Sequence, residues 1–409
     1  MVNLTDSLKD FCNVKTVTHY IPDYDMQEST PWYGIKALWY EGAKYQGRKT
    51  KVFALIGYPK IEADKKAPAM VLVHGGGGHP YAEWIRRWNE RGYIAIALDT
   101  TGFFPGEDMK GLHGTEAQQD LQYHYVHELY GDLEEEGYTL GPDNNELKDY
   151  DAPIGDQWMY HAVAATILAH NILRQDPLVD TDKVGITGIS WGGVITSIAM
   201  GYDPRYAFAI PIYGSGYLDG LHPMASMDMF AHPIVKENWS AAKKFSEVPY
   251  PILWLCYCND TCFCFRANSL SYQDTKHSGA YFANRYHMGH SHKAGWEAEE
   301  TYRFAECMNQ KKVPLIKAQC EPTSFGHISF DIEIPCDFQD VSAELYYVTE
   351  PIYYNEKCKI QNEWHTVKMD INNKTVSGMV PDTAYGYYVE FQGSVGDISY
   401  ISTTAWVEK

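Results

Sequence analysis

An α/β domain with a mostly parallel sheet flanked by helices, followed by a carboxy-terminal β-sandwich, is the fold class this sequence predicts. Three observations carry it. From Ala67 onward, short apolar runs alternate with helix-spaced segments. The first two runs bracket one such segment as a βαβ unit, and after about residue 312 the helical period disappears and short strands separated by turns take over.

In chain order, WYGIKALWYEG and KVFALIGYP are two β-rich runs joined by the turn-like YQGRKT, which reads as a hairpin ahead of the larger domain. AMVLVHGGGG is an apolar strand ending in a glycine run, EWIRRWNERG has helical spacing, and YIAIALDTTG is a second buried strand. Residues 102–155 are rich in Gly, Asp and Glu and lack a clear period, so they read as a long excursion off the sheet. DQWMYHAVAATILAHNILRQ is a helix expected to start on Asp156 and to stop before Pro177. Strand KVGITGIS, helix WGGVITSIAMGY, and strands AFAIPIYGSG and PYPILWLCYCND continue the alternation. HISFDIEI, SAELYYVT, WHTVKMDI, KTVSGMV and GYYVEFQG form the terminal set. The division is therefore a β-rich extension over 1–66 packed on a domain over 67–312, with its insertion at about 102–155, and a β-sandwich over 313–409.

The 409 residues carry 34 Lys plus Arg against 53 Asp plus Glu, a formal charge of −19. An acidic surface of that size repels phosphate backbones and anionic lipid, so neither nucleic acid nor membrane is an expected partner. The beginning, MVNLTDSLKDFCNVKTV, does not read as a secretory signal, and nine scattered Cys fit free thiols in a reducing compartment, so the expected location is cytoplasmic.

Gly188-Ile189-Ser190-Trp191-Gly192 matches G-x-S-x-G between an apolar strand and a small-residue helix, the context that exposes a nucleophilic hydroxyl on a sharp turn. His74-Gly75-Gly76-Gly77-Gly78 closes the earlier strand as an HGGG-type run. A backbone N–H near Gly75 or Gly76 and that of Trp191 are the expected oxyanion donors, with His74 structural. A serine hydroxyl needs a base, and the base needs a carboxylate to fix its tautomer. Asp260, at the end of PILWLCYC, is the expected acid, with Asp274 and Asp219 as substitutes. HMGHSHKAGW supplies His287, His290 and His292; His290 is the expected base and His292 the alternative.

No metal is expected. The three histidines lack an adjacent carboxylate ligand in sequence, and Cys256, Cys258, Cys262 and Cys264, spaced C-x-C-x3-C-x-C around Asp260, read as small buried hydrophobes.

Together HGGGG, YAEWIRRWNERGYIAIALDTTG, WMYHAVAATILAHNIL, GISWGG, IPIYGSGYL and HMGHSHKAGW resemble the acetyl xylan esterase branch of the α/β hydrolases, a prolyl-oligopeptidase-like group, over about residues 30–310. The resemblance implies an α/β-hydrolase fold, a Ser190, Asp260, His290 triad, no cofactor, and a serine esterase (EC 3.1.1) removing acetyl groups from carbohydrates. It also likens the terminal strands to a fibronectin-like module. CYCNDTCFCF departs from the commoner acid loop in its cysteines, so the acid is the loosest correspondence. Trp158, Tyr160, Trp191, Tyr213 and Tyr217 lead toward the face where such sites form and are candidates for stacking on sugar, while Phe103, Phe104 and Pro105 are candidates for a cap. The expected substrate is a small-molecule or oligosaccharide ester. A prolyl-oligopeptidase-like peptidase is the alternative, although only about 66 residues precede Ala67, too few for the propeller those peptidases carry. A non-catalytic carbohydrate binder is a third reading. It would use Tyr346, Tyr347, Tyr353, Tyr354, Trp364, Tyr387 and Tyr388, residues that could equally meet a second subunit in a homo-oligomer.

Overall fold

Unbroken runs of Val, Ile, Leu and Ala have no polar face to give to water, so they belong in a sheet covered on both sides. The computed structural model describes residues 3–21, 34–102, 137–219, 225–355 and 359–409. Its first sheet contains β1 (Thr18–Tyr20), β2 (Ile35–Glu41), β3 (Lys49–Gly57), β4 (Ala67–Val73), β5 (Ile94–Leu98), β6 (Tyr138–Thr139), β7 (Val179–Ile189), β8 (Phe208–Ile212), β9 (Leu253–Tyr257) and β10 (Tyr281–Arg285). The order is β1-β2-β3-β5-β4-β7-β8-β9-β10, with β6 beside β3. From β5 to β10 all neighbours run parallel, whereas β1, β2 and β3 add an antiparallel edge to the same sheet. The amino-terminal hairpin is thus a continuation of the sheet.

Helices α1 (Leu4–Asp10), α2 (Ala82–Glu90), α3 (Trp158–Gln175), α4 (Trp191–Ala199), α5 (Pro233–Trp239), α6 (Phe265–Asp274), α7 (His292–Trp296) and α8 (Glu299–Gln310) surround it. α2 and α8 meet through Trp88 and Tyr302, ring centroids 4.8 Å apart, and the Arg91–Glu299 pair at 2.9 Å. α3 and α4 pack on each other and on β7. The start expected at Asp156 lies elsewhere: α3 begins at Trp158, whose N–H donates to Asp149 at 2.6 Å, while Asp156 accepts from the Gln46 N–H at 2.8 Å. A carboxylate brought from nine residues upstream does the capping that the adjacent one would have done. Residues 103–136, which hold most of the expected excursion and the cap candidates Phe103, Phe104 and Pro105, lie outside the described residues.

The second sheet is antiparallel throughout. It comprises β11 (Lys317–Ala318), β12 (Gly326–Glu333), β13 (Gln339–Val348), β14 (His365–Asn372), β15 (Thr375–Val380), β16 (Gly386–Val395), β17 (Ile398–Thr403) and β18 (Val407–Glu408), in the order β11-β12-β15-β14-β13-β16-β17 with β18 on β16. Alternation along β12 buries Ile328, Phe330 and Ile332 and exposes Ser329, Asp331 and Glu333. This sheet closes over its own apolar cluster. It also packs against the first: Glu300 of α8, fully buried, accepts from Arg285 at 2.8 Å and from the Ile401 N–H at 2.9 Å.

Candidate active site

Ser190 occupies the single residue between β7 and α4, at φ +58°, ψ −121°. A left-handed φ on a residue with a Cβ costs about 1–3 kcal/mol and persists only when its surroundings enforce it. Here they do, because a Cβ on Gly192 would lie 2.0 Å from the Val73 carbonyl oxygen and one on Gly188 2.1 Å from that of Gly192. Glycine at both positions lets strand, turn and helix approach so closely. The Ser190 N–H donates to the Ile212 carbonyl at 2.9 Å, tying the turn to β8.

Asp260 follows β9 and His290 follows β10, so two neighbouring parallel strands deliver them to the same edge. His290 Nε2 lies 2.9 Å from Ser190 Oγ, and His290 Nδ1 lies 2.8 Å from Asp260 Oδ2. The carboxylate is buried, and its other oxygen accepts the N–H groups of Cys262 at 2.7 Å and Phe263 at 3.0 Å. Because Asp260 Oδ2 can only accept, the Nδ1 proton belongs between them and the Nε2 lone pair faces the serine hydroxyl. Tyr213 at φ +64° holds this arrangement from one side: its hydroxyl donates to the Gly289 carbonyl at 2.7 Å, and its ring lies 4.6 Å from that of His290. Phe263 stacks on the histidine at 5.9 Å.

The structure divides the three candidate oxyanion donors. The Trp191 N–H opens α4, and the exposed Gly76 lies against the Trp191 ring, where an added Cβ would come within 2.8 Å of the indole. Gly75 is a correction. Its N–H donates to His292 Nε2 at 2.9 Å and is therefore spent inside the protein. His292, the alternative base, holds the glycine loop instead. Burial, reinforced by nearby His74, His79 and His290, pushes its pKa down to about 3, so it is a neutral imidazole with Nε2 as acceptor and Nδ1 3.3 Å from the Tyr81 hydroxyl. His74 is buried, with Nε2 accepting the Thr100 N–H at 3.1 Å and Nδ1 on the Gly75 carbonyl at 2.8 Å. His287 is exposed; Asp274 accepts from Tyr217, and Asp219 pairs with Lys236.

The aromatic candidates separate as well. Trp158 is fully buried, with its indole N–H on the Thr100 carbonyl at 2.6 Å and its ring against Trp191 at 5.4 Å, so it has no face to offer a sugar. Tyr160 is buried too and meets Phe11 at 6.0 Å, beneath the amino-terminal segment. Tyr213 is at the site but supports the histidine. Tyr217 is partly open and lines a shallow cleft with Val194, Phe230, Lys236 and Trp239. Tyr213 and His292, named from the sequence as a stacking candidate and as the alternative base, sit instead as positioning residues. The only local trace was Ser291, whose hydroxyl caps α7 by accepting the Ala294 N–H at 3.0 Å and so fixes His292 at the first helical position.

The fold and this site define a serine hydrolase of the α/β-hydrolase class. Residues 148–250 match the prolyl oligopeptidase family, a segment that includes Ser190 and its strand. Two solved structures are similar in fold. Acetyl xylan esterase 1 from Thermoanaerobacterium sp. JW/SL YS485 shares 15% identity at a TM-score of 0.54, covering 75% of this chain and 92% of its own. The acetyl xylan esterase from Paenibacillus sp. R4 shares 17% at 0.52, covering 74% and 92%. No curated protein sequence matches. The family match covers one segment of the chain, and the likeness to the two esterases is one of fold. Among the described residues no helix is long and apolar enough to cross a membrane.

Proposed function

We propose that the protein is a serine carboxylester hydrolase that removes acetyl groups from small carbohydrate esters through an acyl-enzyme. One observation carries the reading: Ser190 Oγ, His290 and Asp260 form a continuous hydrogen-bonded relay of 2.9 and 2.8 Å. In the reaction His290 Nε2 takes the hydroxyl proton as Oγ attacks the ester carbonyl, and Asp260 stabilises the resulting imidazolium. The Trp191 N–H and the Gly76 N–H stabilise the oxyanion, each contributing about 3 kcal/mol. The alkoxide leaves with the proton from His290. Water, deprotonated by the same nitrogen, then releases acetate. The chemistry uses only protein groups.

The acetyl and carbohydrate preference is supported by the fold of the two esterases and by the sequence motifs. The match to the prolyl oligopeptidase family favours a second reading, peptide hydrolysis at proline. We further read the terminal sheet as a fibronectin-like module and the protein as cytoplasmic, a reading supported by the scattered spacing of its nine cysteines. Acetylated xylo-oligosaccharides and prolyl peptide anilides, assayed side by side with wild type and Ser190→Ala, test the reading. Acetate release that falls about 10⁴-fold or more in the variant supports it. Cleavage of the anilides alone selects the peptidase, and equal activity of both proteins rejects Ser190 as nucleophile.

A further inference from the structure

The acid loop carries a group that the hydrolytic mechanism does not use. Among its four cysteines, Cys256, Cys258 and Cys264 are buried, and burial raises all three thiols above their ordinary range. Cys264 is further engaged by the Tyr354 hydroxyl at 3.2 Å. Cys262 differs in being half-exposed. Its backbone N–H, like that of Phe263, donates to Asp260, and its side chain lies near the carboxylate. One ligand atom from each of Asp260, Cys262 and His290 lies within 4.8 Å of the other two. A tetrahedral Zn²⁺ with bonds of about 2.0–2.3 Å needs its donors roughly 3.3–3.8 Å apart, so small side-chain rotations close the set.

We propose that Asp260, Cys262 and His290 form an inhibitory site for a thiophilic divalent cation, Zn²⁺ or Cd²⁺, superimposed on the acid and base of the hydrolase. A carboxylate, a thiolate and an imidazole are the donor mixture such borderline-soft ions select, and hard Mg²⁺ or Ca²⁺ does not share that preference. Three protein ligands leave the fourth position to water. On binding, the Cys262 thiol proton passes to solvent. If the metal takes Nδ1, the proton held there moves to Nε2, and the imidazole then presents N–H to Ser190 where a lone pair is required. If it takes Nε2, the lone pair is consumed directly. Either mode removes the base while leaving Ser190 and the oxyanion donors in place. Inhibition rests on the hydrolase reading, whereas binding does not.

Cobalt(II) separates the two. In Ser190→Ala with the exposed Cys320 and Cys336 replaced by Ser, one equivalent of Co²⁺ is expected to give thiolate-to-metal charge-transfer absorption, which one equivalent of Zn²⁺ displaces. The absorption disappears in Cys262→Ala and in Cys262→Ser, each checked for a wild-type melting transition. In the Ser190-containing protein, saturating Zn²⁺ lowers kcat/KM by about 10²-fold or more, the scale of losing a general base, and Mg²⁺ does not. Relative to its own metal-free rate, Cys262→Ser needs a Zn²⁺ concentration more than about tenfold higher for half-inhibition, at least the loss that follows removal of an outer-shell partner. Absent charge-transfer absorption, or absorption that survives both Cys262 variants, overturns the site. Absorption that depends on Cys262 in a protein without hydrolase activity upholds the site and rejects the function proposed above.

Discussion

Replacing His292 by Ala tests the division of labour between the two late histidines. In the structure His292 accepts the Gly75 N–H at 2.9 Å and packs against the glycine loop, where a Cβ on Gly78 would fall 2.6 Å from its Nε2. Removing the imidazole leaves the Gly75 N–H without its acceptor, at about 1–3 kcal/mol, and opens space beside the loop. The loop can recover that energy only by turning, and turning Gly75 moves the next amide, Gly76. The ceiling on the catalytic loss is one complete oxyanion donor, about 2.7–4 kcal/mol or 10²–10³ in kcat, and partial misplacement falls below it. We expect kcat to fall about 10- to 100-fold with KM changed little, because the donor acts on charge that appears in the transition state.

Acetate release from a soluble acetate ester over about pH 5–9 is the assay, with His292→Gln as the conservative variant whose side-chain carbonyl can accept the same N–H. The imidazole pKa of about 3 means His292 is neutral throughout that range, so the profile keeps its shape and only its height drops. A histidine with lowered folded-state pKa destabilises the fold as pH falls below its unfolded value near 6.5, and it does not titrate in the folded state above that. Full kcat in His292→Ala would refute the reasoning. Loss as deep as in Ser190→Ala, with no rescue by Gln and with His290→Ala still active, would make His292 the base.

Three other outcomes follow from the geometry. Asp260→Asn keeps the shape but puts an amide N–H or a neutral oxygen against Nδ1, disturbing the tautomer, and kcat should drop about 10⁴-fold with the melting temperature nearly unchanged. Gly192→Ala places a methyl 2.0 Å from the Val73 carbonyl and should cost several kcal/mol or prevent folding, read as loss of the cooperative melting transition. Glu390, on β16, has its pKa raised to about 7 by burial, aided by Glu344 and Glu300 and opposed by Arg285. Between its unfolded value near 4.5 and about 7 the folded state binds the extra proton, so stability falls as pH rises, by about 3 kcal/mol at most. Glu390→Gln should therefore raise the melting temperature at pH 8 and flatten the decline between about pH 5 and 7 seen in the wild type.

What the sequence exposed was local. A strand, a turn and a helix are contiguous around Ser190, and the glycines that permit its φ of +58° are its neighbours two residues away, so that element could be read without a partner. Asp260 needed only a strand end and chain order, His290 only its place after Gly289 in the late HMGHSHKAGW segment, and the structure brings both to the serine. What stayed hidden depends on contacts between distant residues. Trp158 looked available because its N–H acceptor, the Thr100 carbonyl, lies 58 residues earlier. Gly75 looked like a donor because the imidazole that occupies it comes 217 residues later. β10 escaped because YFANR ends in Asn284 and Arg285, polar groups that break an apolar run; Asn284 Oδ1 accepts from the Cys256 thiol at 3.2 Å, and Arg285 pairs with Glu300 at the junction with the second sheet.

That junction also explains why the acid loop tolerates its unusual cysteines. A loop that must hold a buried carboxylate against a histidine requires rigid flanks, since a misplacement of 1 Å can cost about 10² in rate. Immediately after the loop, α6 enters the contact with the terminal strands: Phe265 meets the Trp406 ring at 5.2 Å, Ser269 accepts the Trp406 N–H at 2.8 Å, and Arg266 pairs with Glu408. Cys264, at the start of that helix, is covered by Tyr354. The second sheet therefore braces the acid loop from behind through packing and hydrogen bonds, while Cys262, on the other side of Phe263, keeps a half-exposed thiol beside the carboxylate. A brace on one flank and a partly exposed thiol on the other is the arrangement in which a metal ion can reach Asp260 without the loop having to unfold to admit it.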